Sequence, residues 1–191
     1  MKKCRKIAGV LVVVMIAVLT MAACGSDTQD VEPADKRSSA GFEDFEGELL
    51  GGGVVTEDIF AKADLTMVNV WATFCGPCLK EMPELGELNS EYADQKFQVV
   101  GIVSDVLNQD GTLNQNQIDT AREIVSSTSA DYLHLLPTAD LLPIVAQAYA
   151  VPMTFFVDKD GNLVGEGAYM GAQDKAGWSK IIDAMLEEVA A

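Results

Sequence analysis

WATFCGPCLKEMPEL, Trp71 to Leu85, is the stretch on which the reading of the chain turns. Its left end closes an apolar run, Leu65–Ala72 (LTMVNVWA), of the length of one buried strand. Its right end starts a helical spacing that runs through Leu79, Met82, Leu85, Leu88 and Tyr92. At the join stand Cys75, Gly76, Pro77 and Cys78. Pro77 suits a first helical turn, which puts Cys75 at the helix N-terminus, where the positive dipole end favours thiolate, the attacking form. Cys78, three residues on, lies one turn behind on the same face and within reach of a mixed disulfide at Cys75. As a staple the pair would contribute little. Closing four residues is worth about 2 kcal/mol on the loop-entropy model, against roughly 4.7 for a 100-residue loop. The pattern fits electron transfer, in which Cys75 attacks or is attacked, Cys78 resolves, and two electrons move.

Other uses of two cysteines fare worse. A zinc or copper site wants further thiolates or imidazoles, and the one histidine, His134, sits in the apolar LHLL run as a strand residue. Haem attachment wants His after the second cysteine, where the chain has Leu79. No metal and no cofactor is expected.

Working outward, Phe97–Ser104 (FQVVGIVS) is a second strand-length apolar run, so the helix between joins two strands as a crossover unit. Upstream, Phe42, Phe45 and Leu49–Leu50 suggest short strands before the Gly51–Gly53 turn; Val54–Val55 continue that edge, and Thr56, Glu57 and Asp58 open a short helix. Downstream, Ile118, Ala121, Ile124 and Val125 mark a second helix and Tyr132–Leu136 a short strand. Leu141–Tyr149 reads as a third helix with Pro143 in its first turn. Met153–Val157 and Asn162–Gly167 flank a Gly-containing turn as a hairpin, and Trp178, Ile181, Ile182, Met185, Leu186 and Val189 stripe a terminal helix. The sum is one layered α/β domain over 42–191, a central mixed sheet with helices on both faces.

What precedes that domain differs in kind. Lys2, Lys3, Arg5 and Lys6 head an apolar run from Ile7 to Ala23, short of the roughly 20 residues a spanning helix needs. The run ends at Met21-Ala22-Ala23-Cys24 and resembles a bacterial lipoprotein signal, which implies a signal peptide over 1–23, lipid on Cys24 and a membrane tether. Ordinary cleavage after Ala23, or none, is the alternative. Residues 24–41 are polar and read as a flexible spacer. An export signal places the body outside the cytoplasm, where disulfides persist. It also sorts the four cysteines, which by number alone allow three pairings. Cys4 leaves with the signal and Cys24 takes lipid, so Cys75 and Cys78 remain. The net charge of −16 becomes −20 once the four N-terminal cations are gone. A body this acidic is a poor nucleic-acid binder, and no such partner is expected.

WATFCGPCLKEMPEL followed by VPMTFFVDKDGNLVG resembles the thioredoxin superfamily and, more narrowly, its membrane-tethered extracytoplasmic thiol-disulfide oxidoreductases of the TlpA/ResA type. The resemblance covers 42–191. It implies a thioredoxin fold in which the helix and strand at 116–136 are the TlpA/ResA-like insertion. It matches Cys75 to the nucleophile, Cys78 to the resolving thiol, and Gly76-Pro77 to the thioredoxin-like dipeptide. Pro152 matches the family's cis-proline, which leaves Val151 to meet substrate backbone. Glu81 matches a carboxylate held near the cysteines, able to exchange protons with Cys78. The bland alternative is that Glu81, Glu84, Glu87 and Glu91 form one solvated helical face. Trp71 packs near the site. Phe74 departs from a common Trp and Met153 from a common Thr. The implied function is thiol-disulfide exchange with cysteine-bearing client proteins, as a reductant fed by a membrane electron donor. An oxidant or isomerase on the same residues is the alternative, and from another class a non-catalytic binding lipoprotein. A peroxiredoxin-like peroxidase is disfavoured, because its Thr and Pro before the cysteine are here Ala72 and Val68.

Overall fold

The computed structural model describes Phe42 and residues 45–191. The signal peptide, the spacer and Cys24 of the sequence reading lie outside the described residues. A hairpin comes first, β1 (Glu46–Glu48) antiparallel to β2 (Val54–Thr56), with Gly52 and Gly53 at φ of +92° and +102° making its turn. Thr56 then caps a 3₁₀ turn, Glu57–Lys62, by accepting from the Asp58 N–H. Phe42 and Phe45, expected near short strands, lie just outside β1 and plug the core with Phe60.

The central strand β3 (Leu65–Trp71) is buried at every residue. It leads into α1 (Gly76–Glu91), which continues through Pro83, and then β4 (Phe97–Val103). Next come α2 (Gln115–Ser127), β5 (Leu133–Leu135) and α3 (Leu142–Val145). The chain closes with β6 (Met153–Asp158), β7 (Leu163–Met170) and α4 (Lys175–Val189). The sheet order is β5-β4-β3-β6-β7. β3, β4 and β5 are parallel, while β6 and β7 run antiparallel to their neighbours. The segment after β1 covers the outer edge of β5, through Leu50 N–H to His134 O and Leu136 N–H to Glu48 O, both 2.8 Å.

Alternation along β3 sorts the core. Val68 and Val70 face Phe42, Phe155, Leu141 and Ile144, whereas Leu65 and Met67 face Leu85, Leu88 and Trp178 of α1 and α4. Trp71 joins Cys75, Cys78 and Met82 against Ile118 and Ala121 of α2.

Two elements differ from the sequence reading. α3 covers four residues of the nine in Leu141–Tyr149, because the backbone beyond it turns through i→i+3 bonds, Gln147 N–H to Ile144 O and Ala148 N–H to Val145 O. The approach to Pro152 disfavours helical geometry at the residue before it. β7 runs three residues past Gly167, because Tyr169 and Met170 still pair with Thr154 and Met153 beyond an irregularity in β6. Among the described residues, no helix is long and apolar enough to cross a membrane.

Candidate functional site

At the end of β3 the chain must turn from strand to helix within four residues, and each turn group is held. Ser104 donates both its N–H (2.8 Å) and its hydroxyl (2.9 Å) to Trp71 O. The Thr73 N–H meets both oxygens of Asp105 at 3.1 and 3.0 Å, and the Thr73 hydroxyl donates to Asp105 Oδ2 at 2.5 Å. Gln117 of α2 adds its amide to Thr73 Oγ1 at 3.0 Å and to Asp105 Oδ2 at 3.3 Å. The loop carrying the cysteines is therefore clamped to α2 from two residues upstream of Cys75.

Cys75 is the N-cap of α1, with Pro77 in the first turn, and its Sγ accepts from the Cys78 N–H at 3.2 Å. The two cysteines form a disulfide with an S–S distance of 2.03 Å. They differ in access: Cys75 keeps 5% of its surface open and Cys78 none, so an incoming thiolate or disulfide meets Cys75. Val151 packs against this cluster, and its peptide bond to Pro152 is cis. Two aromatic side chains that flank site residues in sequence lie bare to solvent, Phe74 at 77% exposure beside Cys75 and Tyr149 at 85% two residues ahead of Val151.

Beneath the disulfide lies a polar layer between α1 and the sheet. The four glutamates of the α1 stripe do not share one environment. Glu87 and Glu91 are exposed and both pair with Lys175 at 2.6 Å, whereas Glu81 is buried. Glu81 accepts from Asn69 Nδ2 at 3.1 Å, from the Gln173 N–H at 3.2 Å and from Trp178 Nε1 at 3.3 Å. Burial raises its carboxyl above the ordinary value of 4.5, the three donors from Trp178, Gln173 and Asn69 pull the other way, and Glu84 adds to the rise. Asn69 Nδ2 also donates to Thr154 Oγ1 at 2.9 Å.

Trp71 is fully buried and donates Nε1–H to His134 Nδ1 at 3.2 Å. An indole nitrogen only donates, so Nδ1 is the unprotonated nitrogen, and Nε2–H donates to Ala130 O at 3.2 Å. Burial pushes His134 down to about 4, so it is neutral around neutrality. Gly101 makes the contact possible: a Cβ there would lie 2.4 Å from His134 Nδ1 and 3.2 Å from Trp71 Nε1. Among the described residues, no three His, Cys, Asp or Glu side chains gather as a metal site would need.

Thus Cys75, Gly76, Pro77, Cys78, Val151 and Pro152 meet beyond the C-terminal end of the central strand β3, with Trp71 closing that strand and Glu81 one turn further along α1. The sequence reading passed over Asn69, Thr154, Gln173, Trp178 and Asp105 as members of this site. Asn69 alone carried a signal, as the amide inside the apolar run Leu65–Ala72, which must find partners when buried.

The profile of the AhpC/TSA family matches residues 40–165. The chain is similar to the thiol-disulfide oxidoreductase ResA of Bacillus anthracis, 26% identical over 136 residues that make up 67% of this chain and 66% of that protein. The match therefore spans just under two thirds of that relative's length. In shape the chain is similar to the crystal structure of a thiol:disulfide interchange protein, thioredoxin family protein, from Chlorobium tepidum TLS. That likeness has a TM-score of 0.60 and 22% identity, covering 78% of this chain and 95% of the other. StoA from Bacillus subtilis gives 0.53 and 16%, with 71% and 93% covered. These likenesses establish a thioredoxin fold.

Proposed function

The chain belongs to the AhpC/TSA family, and from that premise we propose that it is a thiol-disulfide oxidoreductase acting on cysteines of client proteins. The carrying observation is the Cys75–Cys78 pair at the start of α1, with one sulfur open and the other enclosed. In the reductive direction, Cys75 thiolate attacks the client disulfide, and one client sulfur leaves as thiolate while the other stays bonded to Cys75. Cys78 gives its proton to Glu81 and attacks Cys75 Sγ. The Cys75–Cys78 bond forms, the client leaves as a dithiol once protonated, and two electrons have passed to it. Val151 offers backbone groups to the client strand beside Pro152, which has no N–H of its own.

The reductant direction rests on the thioredoxin-like Gly76-Pro77 dipeptide. The Lys/Arg head, the apolar run and Cys24 support export, lipid anchoring and an electron donor in the membrane. Residues 24–41 serve as the tether, and the domain from 42 onward as the working head. Peroxidase chemistry at Cys75 stays disfavoured by Ala72 and Val68.

The test is trapping. Cys78→Ala leaves Cys75 joined to its client, and a mixed disulfide that Cys75→Ser abolishes is the expected result. If reduced Cys78→Ala protein forms no adduct even with a small disulfide such as Ellman's reagent, the assignment of Cys75 fails. Equal partitioning of wild type and Cys24→Ala into detergent would remove the lipid anchor from the account.

A further inference from the structure

Exposed large apolar side chains are not spread evenly over the domain. Five lie exposed among the described residues: Val54, Phe74, Leu113, Leu142 and Tyr149. Scattered singly, they would need no explanation. Four of them share one end of the central sheet. β3, β4 and β5 are parallel, so the segments after Trp71, Val103 and Leu135, which carry Phe74, Leu113 and Leu142, leave the sheet at the same end. β6 is antiparallel to β3 and starts with Met153 opposite Val70, so the segment carrying Tyr149 arrives at that end too. It is the end that carries Cys75.

Two of the four line a cleft there. Leu113 (37% exposed) and Leu142 (40%) border about 260 Å³ together with Leu107, Pro137, Ala139 and Glu48. Leu107 and Leu113 bridge across the loop after β4, with Asn108 N–H to Thr112 O at 2.7 Å, which fixes one wall. The other wall is the segment from β5 into α3. There Thr138 donates its hydroxyl to Glu46 O at 2.9 Å, and Asp140 takes the Glu46 N–H at 3.2 Å. The rim is acidic: Glu48 lines it, Asp110 adjoins Gly111, and Asp140 adjoins Ala139. Residues 104–114 and 136–152 hold no Lys, Arg or His. Among the described residues, none of these three acids is in an ion pair.

We propose that this cleft is a second contact for the client, and that it takes an apolar side chain flanked by Lys or Arg, three or four residues from the client cysteine. The inference rests on the client exchange at Cys75 proposed above. The spacing follows from the sheet. β5 lies two strands from β3, about 10 Å away, and an extended chain covers that in about three residues. The charge follows from the rim. An acidic rim on a body of −20 also disfavours a second copy of this chain as the occupant.

Peptides with one cysteine joined to thionitrobenzoate supply the test, mixed rapidly with reduced protein. Cys75 attacks the peptide sulfur, the Cys75–peptide disulfide forms, and thionitrobenzoate, the thiol of lower pKa, leaves and is read by its colour. The reference is Ellman's reagent, too small to reach the cleft. It releases one thionitrobenzoate on attack by Cys75 and a second on attack by Cys78. The peptides carry Lys-Leu-Lys with the Leu three or four residues from the cysteine, in versions before and after it. With wild type, Leu to Ser in the peptide should slow the reaction about fivefold. Lys to Glu should slow it about tenfold at low salt and less as salt is added. Leu113→Ser with Leu142→Ser should abolish the Leu/Ser difference and leave the first release from Ellman's reagent unchanged. Asp110→Asn with Asp140→Asn, which keeps the hydrogen-bond acceptors, should shrink the Lys/Glu difference about twofold or more. Equal rates for the Leu and Ser peptides with wild type, a comparison that needs no variant to fold, overturn the docking site and leave Cys75 untouched. So does a difference that survives the double Leu variant. A Lys/Glu preference unmoved by the Asn pair belongs to the charge of the whole body and overturns the basic partner. A wild-type dimer that the double Leu variant dissolves gives the cleft to a second copy and overturns the proposal. If wild type reacts no faster than Cys75→Ser with Ellman's reagent, the exchange reading itself fails and takes this inference with it.

Discussion

Gly101→Ala puts one methyl where β4 passes beneath the Trp71–His134 hydrogen bond. The added Cβ would stand 2.4 Å from His134 Nδ1, 2.9 Å from its Cε1 and 3.2 Å from Trp71 Nε1. His134 cannot step aside cheaply. It is buried, lies against Tyr132 at 4.4 Å and Trp71 at 5.6 Å between ring centroids, and is held at Nε2 by Ala130 O. Overpacking of this kind costs about 1–3 kcal/mol. Breaking the Trp71–His134 bond strands two buried nitrogens, at about 1–3 kcal/mol more. The gain from stiffening the unfolded chain returns about 0.4–1 kcal/mol. The net loss is about 2–5 kcal/mol, a large share of the roughly 5–15 kcal/mol that a domain has. At about 2–4 °C per kcal/mol, the melting temperature should fall by roughly 4–20 °C. Urea unfolding of the oxidised protein measures the loss directly. Trimming the obstructing ring as well should relieve it, so in a His134→Ala background Gly101→Ala should cost under about 1 kcal/mol. A loss below about 1 kcal/mol in the single variant, or simple additivity in the double, would refute the packing argument.

Further outcomes follow from other parts of the site. Because the folded state holds the Glu81 proton more tightly than the unfolded chain, this group favours folding most below its free value of 4.5 and loses that contribution as pH climbs through its raised folded value. Urea unfolding over a pH series should show that decline in wild type and a flatter curve in Glu81→Gln; identical slopes would contradict it. Asp105→Ala strips the acceptor from the Thr73 N–H, the Thr73 hydroxyl and Gln117, which should cost about 1–3 kcal/mol and slow attack by Cys75, read as the first release from Ellman's reagent. Phe74→Ala and Tyr149→Ala remove side chains that bury almost nothing in the free protein, so stability should hold while KM for a protein disulfide rises several-fold; unchanged KM would exclude both from client contact.

The redox pair and its surroundings were legible because the determinants are local. An apolar run ends, Pro77 opens a helix, Cys75 caps it and Cys78 falls in its first turn. The polar layer was illegible for the opposite reason. Asn69 and Thr154 are 85 residues apart in sequence, and Glu81 and Trp178 are 97 apart. Helical spacing placed Glu81 in one stripe with Glu87 and Glu91, and only the docking of α4 and the segment at Gln173 separates the buried acid from the exposed ones. Asp105 stands in a polar loop after β4 with no pattern to mark it, and its purpose is visible only in the contact with Thr73. The short α3 shows the limit of apolar spacing where a proline follows within a few residues.

The central claim is that Cys75 and Cys78 turn over electrons with a protein disulfide. Reduction of insulin by the protein in the presence of a dithiol tests it most directly. Wild type should accelerate precipitation of the insulin B chain, and Cys75→Ser should fall to the rate of the dithiol alone. Wild type no faster than Cys75→Ser would contradict the account and leave a thioredoxin fold used for binding.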